Sequence, residues 1–325
     1  MNRRRFAGAI WVGLLGGLLV ACSDPPRVYR IGYLHPTNDR DVAYTAFSRA
    51  LKEAGYVVGR NTVVEERFAD GDVARLPALA ADLVAKRVEV IVAVAPPAIR
   101  AARSVTTTVP IVMAFSGDDP VKAGFAATLA RPGGNITGLT TMALDMAPTW
   151  IETLTDLAPD AKIIAVLRSP RRPDHTAQID AMRATAQARG VRLLVVEVDG
   201  VDRYADAFAE IERQGGQAIV VLSGPEFTHN RVRLVELISS HRLPSIYQFA
   251  DFVEVGGLVS YGPDIADLSA RAVRYVDKIV QGANPAELPI EQPQKLSLVL
   301  NRGTATQLGI AIPPWLALEA TRIVQ

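Results

Sequence analysis

Val90-Ile91-Val92-Ala93-Val94 is a run of five apolar residues with no polar alternation. A half-exposed strand alternates, and an amphipathic helix repeats every three to four residues. This run is therefore read as a short strand buried on both faces, as a parallel sheet covered by helices requires. Toward the N-terminus, Leu76, Leu79, Leu83 and Val84 share one helical face, and Thr62-Val63-Val64-Glu65-Glu66 has the composition of a strand. Before them Phe47, Ala50, Leu51 and Ala54 mark a helix, and Arg30-Ile31-Gly32-Tyr33-Leu34 is the first strand. Toward the C-terminus a helix is expected from Pro97 to about Ser104, then the strand Pro110-Ile111-Val112-Met113-Ala114. Repeated strand–helix units of this size predict an α/β fold with a doubly wound parallel sheet.

The same rhythm then starts again. Trp150, Ile151, Leu154 and Leu157 form a helix face, followed by the strand from Lys162 to Leu167 and a helix marked by Ile179, Met182 and Ala186. The strand from Leu193 to Val196, a helix through Tyr204, Phe208 and Ile211, and the strand Ala218-Ile219-Val220-Val221-Leu222 follow. A helix through Val232, Val235 and Ile238 leads to Pro244-Ser245-Ile246-Tyr247. Two doubly wound lobes joined by a multi-strand hinge are expected. A late helix (Leu268, Ala272, Val276, Ile279) and a late strand (Lys295 to Leu300) are surplus to the second sheet and are expected to return to the first lobe. Crossings are expected near Gly138 to Asp145, Ser260 to Asp264 and Leu298 to Gly303. The lobes are drawn as 27–141 with 262–297, and 142–261 with 298–325. In open parallel sheets ligands sit beyond the carboxyl ends of the strands, so two such ends facing each other make a cleft that closes by hinge motion.

The first 22 residues have the layout of an export signal: Arg3, Arg4 and Arg5, an apolar stretch from Phe6 to Val20, then Leu19-Val20-Ala21-Cys22. The apolar run is too short to span a bilayer. The small residue before a lone cysteine matches a lipobox, whose cleavage leaves Cys22 as an acylated N-terminus anchored to a membrane surface. Cys22 is the sole cysteine of the chain, which excludes a disulfide scaffold, a cysteine-based metal site and a thiol nucleophile. Without the three leader arginines the chain has 32 basic residues against 34 acidic, a net of −2. With no long basic run either, nucleic acid is not expected as a partner.

Asp119-Pro120-Val121-Lys122-Ala123-Gly124, continued by Arg131-Pro132-Gly133-Gly134-Asn135-Ile136-Thr137-Gly138, is the most specific stretch of the sequence. Together with His241-Arg242-Leu243-Pro244-Ser245-Ile246-Tyr247, the stretch from Phe252 to Gly262, and Leu308-Gly309-Ile310 with Ile312-Pro313-Pro314, it resembles the ABC-transporter substrate-binding lipoproteins typified by tryptophan- and tyrosine-binding members. The resemblance runs from Tyr29 almost to the end. It implies the type I periplasmic-binding-protein-like fold, a small-molecule ligand, a membrane permease as partner and a monomer on the outer face of a bacterial membrane. It implies no cofactor, no metal and no catalytic residue. The ligand-facing loops depart from the family. Ala95-Pro96 stands where many relatives have Thr-Pro, Ser169-Pro170-Arg171-Arg172 where many have Asn-Pro, and Gly224-Pro225-Glu226-Phe227 where relatives often have Pro-Asp-Pro-Leu.

Candidate ligand residues follow the strands. Ser116, Asp118 and Asp119 sit past the fourth strand, where a carboxylate pairs with a ligand ammonium. For Asp119 the competing role is an N-cap, since Pro120 follows at the first helical position; for Ser116 and Asp118 it is turn chemistry. Arg131-Pro132-Gly133-Gly134-Asn135 is read as a tight turn. Ser223 and Gly224 offer backbone N–H groups to a ligand carboxylate, with Phe227 as an apolar wall, or form an ordinary strand-to-helix turn. Ala95, Pro96, Ser169 and Arg171 lie in the equivalent loops, and Arg171 and Arg172 either grip an anion or are solvated. Tyr247 and Tyr261 offer a ring and a hydroxyl to ligand, or pack within a lobe. The four histidines lack metal-ligand spacing, and neither a Gly-x-Ser-x-Gly elbow nor a dinucleotide glycine fingerprint is present in the mature body. Transport receptor, sensory binding protein and secreted enzyme on the same fold remain open at this point, in that order.

Overall fold

The computed structural model describes residues 27–37 and 42–325; the signal and lipobox read in residues 1–22 lie outside them. The elements alternate through most of the chain: β1 (Tyr29–His35), α1 (Val42–Glu53), β2 (Thr62–Phe68), α2 (Leu76–Ala85), β3 (Val90–Val94), α3 (Ala95–Val105), β4 (Ile111–Phe115) and β5 (Ile136–Gly138). After α4 (Ala143–Leu157) come β6 (Ile163–Arg168), α5 (Asp174–Ala188), β7 (Arg192–Glu197), α6 (Tyr204–Arg213), β8 (Ala218–Val221), α7 (Pro225–His229), α8 (Arg231–Ser240), β9 (Ser245–Tyr247), α9 (Asp251–Glu254) and β10 (Val259–Pro263). The chain ends with α10 (Ile265–Val280), β11 (Leu296–Asn301), α11 (Arg302–Leu308), α12 (Pro314–Glu319) and β12 (Arg322–Val324).

Two sheets result, ordered β2-β1-β3-β4-β5 and β12-β11-β10-β9-β8-β6-β7. Every pair is parallel except β10 with β11. The Val90–Val94 run is β3, every residue of it buried, flanked by β1 and β4 and covered on both faces. Its alternate side chains enter separate cores. Val90, Val92 and Val94 pack with Phe47 of α1 and Leu268, Ala272 and Val276 of α10, while Ile91 and Ala93 pack with Leu76 and Leu83 of α2 and Ile99 of α3. The second sheet is likewise covered on both faces, with Trp150, Ile151 and Leu154 of α4 on one side and Phe208 and Leu234 on the other.

The late helix α10 thus packs on the first sheet, but the late strand does not follow it. Strand β11 lies in the second sheet, with Leu298 and Leu300 buried in the α4 core. The reason is the path of the chain. After α10, Glu291 runs beside Leu139 of the first crossing, with Glu291 N donating to Gly138 O at 2.9 Å and Thr140 N to Glu291 O at 3.0 Å. The chain therefore re-enters the second lobe from the first and must run against β10. This crossing lies between Glu291 and Leu296, ahead of the predicted Leu298 to Gly303. The other two lie near Leu139 to Ala143 and at Pro263 to Ile265, between β5 and α4 and between β10 and α10. Gln248 Nε2, donating to Thr141 Oγ1 at 3.0 Å, joins the loop after β9 to the first crossing.

Two details position the cleft loops. Gly138 ends β5 at φ +125, and a Cβ there would lie 2.3 Å from Met113 O on β4. Only glycine accepts both the torsion and the close backbone. In the second lobe, fully buried His175 accepts from Ser169 N through Nδ1 at 3.1 Å, which leaves the proton on Nε2 to donate to Ser223 O at 2.9 Å. The ring ties the loop after β6 to the loop after β8. Burial first, and the Arg172 charge second, push its pKa down to about 4.

Gly138→Ala should destabilise the protein by at least about 1–3 kcal/mol, read as a lower denaturant midpoint. His175 makes a second, pH-dependent prediction. Its folded pKa is depressed from 6.5 to about 4, so its contribution is complete above pH 6.5 and is lost as pH falls toward 4. The loss is on the order of 3 kcal/mol. Urea titrations of wild type and His175→Gln across that window check this, the variant being less stable at pH 7 and flatter with pH.

Candidate functional site

The carboxyl ends of the two sheets face each other, and the loops that follow the strands line the space between them. From the first lobe come His35-Pro36-Thr37 after β1, Ala95-Pro96 after β3, and Phe115 and Gly117 after β4. Facing them are Arg172 after β6, Ser223-Gly224-Pro225 after β8 and Phe249 after β9. The walls are largely apolar, with Phe115 edge-on to Phe249 at 6.0 Å between centroids. The cavity is about 50 Å³, so the apposed loops stand close together across the cleft. Ala95 starts α3 at φ +63, a left-handed torsion rare for a residue with a Cβ, and strain of this kind concentrates at functional loops.

The polar part of the site is an ionic cluster across the lobe boundary. Arg172 is 4% exposed. It grips Asp174 through Nε at 2.8 Å and Nη2 at 2.7 Å, a bidentate pair within the second lobe. The same Nη2 lies 3.8 Å from Asp118 Oδ1 of the first lobe. Asp118 Oδ2 accepts from Arg100 Nη1 of α3. No bond joins Arg172 Nη1 to a described residue, and Arg172 lines the cavity. Burial, then the facing Asp174 carboxylate, push the Asp118 carboxyl up to about 6 against the pull of Arg172 and Arg100. Burial would raise Asp174 as well, but its hydrogen bonds and ion pair with Arg172 more than offset this and hold it below the usual carboxylate range. Among the described residues no group of three or more His, Cys, Asp or Glu side chains is placed to hold a metal ion.

The residues singled out from the sequence fall in different places. Ala95, Pro96 and Ser223 line the central cavity. Asp118 lines an adjoining pocket with Asp119, Lys122, Asp174 and Gln178. Ser116 is fully buried and makes the turn, accepting from Asp118 N at 3.2 Å. Asp119 caps, as its competing role supposed, with Oδ1 accepting from Val121 N at 2.9 Å and Lys122 N at 3.2 Å. It caps a hydrogen-bonded turn, however, where a helix was expected. Ser169 is buried beneath the cleft, bonded to His175 and Arg171 N. Arg171 points outward to Asp199 at 2.6 Å; its neighbour Arg172 is the one turned inward.

Of the roles open to the aromatic residues, the structure takes packing within the second lobe. Phe227 is 0% exposed in the α6–α8 core and forms no cleft wall. Tyr247 is stacked on Phe252 in that core at 4.6 Å. Tyr261 packs toward α4, its carbonyl accepting from Trp150 Nε1 at 2.8 Å. Sequence reasoning left out Thr37, Phe115, Phe249 and Asp251. Each stands within a few residues of a strand's carboxyl end, and that position was the available signal.

A sequence profile described as ABC transporter substrate binding protein matches residues 34–324. The Tyrosine-binding protein of Clostridioides difficile is 24% identical over 279 residues, 85% of this chain and 78% of that protein. The structure superimposes on the ABC domain from Streptococcus pneumonia in complex with L-Trp with a TM-score of 0.84 at 26% identity, covering 91% of this chain and 100% of that one. A ligand-free, open substrate binding protein with adhesive properties from Clostridium difficile shares the fold at a TM-score of 0.66 and 21% identity, over 92% of this chain and 100% of that one. The matched profile runs from the end of β1 through the rest of both sheets, all three crossings and every cleft loop, and the chain belongs to the ABC transporter substrate binding protein family.

Proposed function

We propose that this protein is the extracytoplasmic solute-binding component of an ABC-type importer, closing two lobes on an amino acid or a related small molecule and presenting it to a membrane permease. The observation that carries this reading is the cavity built by the carboxyl-end loops of both sheets, with Arg172 of one lobe reaching toward the other. Membership of the family supports the importer context. The lobe division 27–141 with 262–297, and 142–261 with 298–325, agrees with α10 on the first sheet but would cut β10 and β11, so the second and third boundaries are taken instead at Pro263 to Ile265 and between Glu291 and Leu296. A binding role rather than a catalytic one fits relatives that bind tyrosine and L-Trp. Those two amino acids are the first solutes to test.

Within the cleft, the polar anchor is Arg172. Its Nε and Nη2 are committed to Asp174, and Nη1 remains for a ligand carboxylate. The apolar body of the ligand lies against Phe115, Phe249 and Pro96. The short apolar run ending in Leu19-Val20-Ala21-Cys22 supports export and a lipid anchor on Cys22.

Four outcomes are expected. Metabolic labelling with a radioactive fatty acid marks the wild type and leaves Cys22→Ser unlabelled; an unlabelled wild type removes the anchor. A thermal-shift screen of amino acids should raise the melting temperature, since about 100 Kd of ligand adds roughly 2.7 kcal/mol. Scattering should show a smaller radius of gyration with the same solute, and a solute that binds without contraction contradicts the clamp. In calorimetry, Arg172→Lys keeps the charge but loses the planar fork. Affinity for a carboxylate solute should fall by roughly one to two decades, and equal affinity in the variant removes Arg172 as anchor.

A further inference from the structure

The seam between the lobes holds a carboxylate that lacks a hydrogen. Asp118 arrives from the first lobe and meets Arg172 and Asp174 from the second. Asp174 has already taken both Arg172 Nε and Nη2. Asp118 Oδ1 stands 3.8 Å from that Nη2, beyond hydrogen-bond reach, and is buried with no hydrogen-bond partner. The other Asp118 oxygen is satisfied by Arg100. Buried acceptors are normally paired, and one left beside a second carboxylate is doubly unfavourable. The remaining charges nearby do not relieve it. Asp119 and Lys122 pair loosely with each other at 3.9 Å on the same turn, Glu226 of α7 faces Arg172, and His175 is uncharged between Ser169 and Ser223. A proton on Asp118 would supply the missing hydrogen and remove the repulsion with Asp174.

We propose that Asp118 is a proton-binding switch for lobe closure: the closed form takes up a proton from solvent at this carboxyl, so mild acidification favours closure and tighter retention of solute. The inference rests on the two-lobe clamp reading and adds its regulation. In the open form Asp118 keeps Arg100 and gains water, and it is an ordinary carboxylate. Closing removes the water and brings up Asp174. Burial and then Asp174 raise its proton affinity, and Arg172 and Arg100 do not cancel the rise. Because the closed form binds the proton more tightly, the closed-to-open ratio grows as pH falls from neutrality and levels off once the open form is protonated as well, near pH 4. Each unit of difference between the two forms is worth up to about tenfold in that ratio. His175 does not contribute, because both its partners lie in its own lobe and stay with it in either form.

Small-angle scattering of the full chain without solute, at pH 7.5 and pH 5.0, tests this. The wild-type radius of gyration should fall on acidification, with the closed-to-open ratio rising roughly tenfold. Asp118→Asn, whose amide supplies the missing hydrogen at any pH, should be as compact at pH 7.5 as the wild type at pH 5.0. Arg100→Gln, which withdraws a charge that favours the ionised form, should move the midpoint of closure to higher pH. Asp180→Asn, an exposed carboxylate on α5, should respond as the wild type does. If Asp118→Asn is too unstable to measure, an unmoved midpoint in Arg100→Gln overturns the proposal. It is also overturned if Asp118→Asn follows pH as the wild type does, or if the wild type contracts with L-tyrosine or L-tryptophan but not with acid. A wild type that contracts with neither solute nor acid removes the clamp itself.

Discussion

The structure depends on one constraint: the strands of a parallel sheet end on the same edge. Both sheets here are parallel but for the pair of β10 with β11. Each therefore gathers its strand-end loops along one rim, where turns are free to vary without disturbing the core beneath. The three crossings set these rims face to face. Their own bonding is modest, two backbone hydrogen bonds that tie Gly138 and Thr140 to Glu291 and the Gln248–Thr141 contact. Crossings so built are what the proposed clamp requires, holding the lobes in register with few bonds to break.

What lies between the lobes differs in kind from what lies inside them. Within each lobe the helices bury apolar faces on both sides of the sheet. Across the boundary the contacts are mixed: Phe115 meets Phe249 edge-on, Gln248 bonds Thr141, and the ionic contact is Arg172 against Asp118. A broad apolar seam would be sticky whenever the lobes opened, whereas charged groups regain water when separated. Buried ion pairs contribute little net stability because desolvation offsets the Coulomb attraction. That near-balance suits a contact which must be made and broken repeatedly.

The loop after β6 carries two adjacent arginines, and the cluster explains what each of them does. Arg171 and Arg172 follow Ser169-Pro170. The turn begun there, with Arg171 N donating to Ser169 Oγ and Arg172 N to Ser169 O, sends one guanidinium to Asp199 on the surface and the other under Asp118. Asp174 then fixes Arg172 from its own lobe, so the charge is already oriented before the lobes meet.

Much of the fold was legible from the order of apolar runs. Unalternated strands such as Val90–Val94 require helices on both faces, and their repetition after Trp150 requires a second sheet. The late strand was misassigned because its Leu298 and Leu300 pattern suits either sheet; only the return path beside Leu139 makes it antiparallel to β10. The site was legible in outline, as the ends of strands, but not in its members. Phe227 and Tyr247 share composition with cleft residues yet face a core, since the helical or strand phase of each is set by packing with Tyr204, Leu234 and Phe252. Local sequence alone determined the strands, their order of appearance and the loops open to ligand, because periodicity and turn chemistry act over a few residues. Which of two adjacent arginines turns inward, and which carboxylate it meets, was decided only in the tertiary structure. Asp199 lies a strand away and Asp118 in the other lobe, and no local rule acts across those separations.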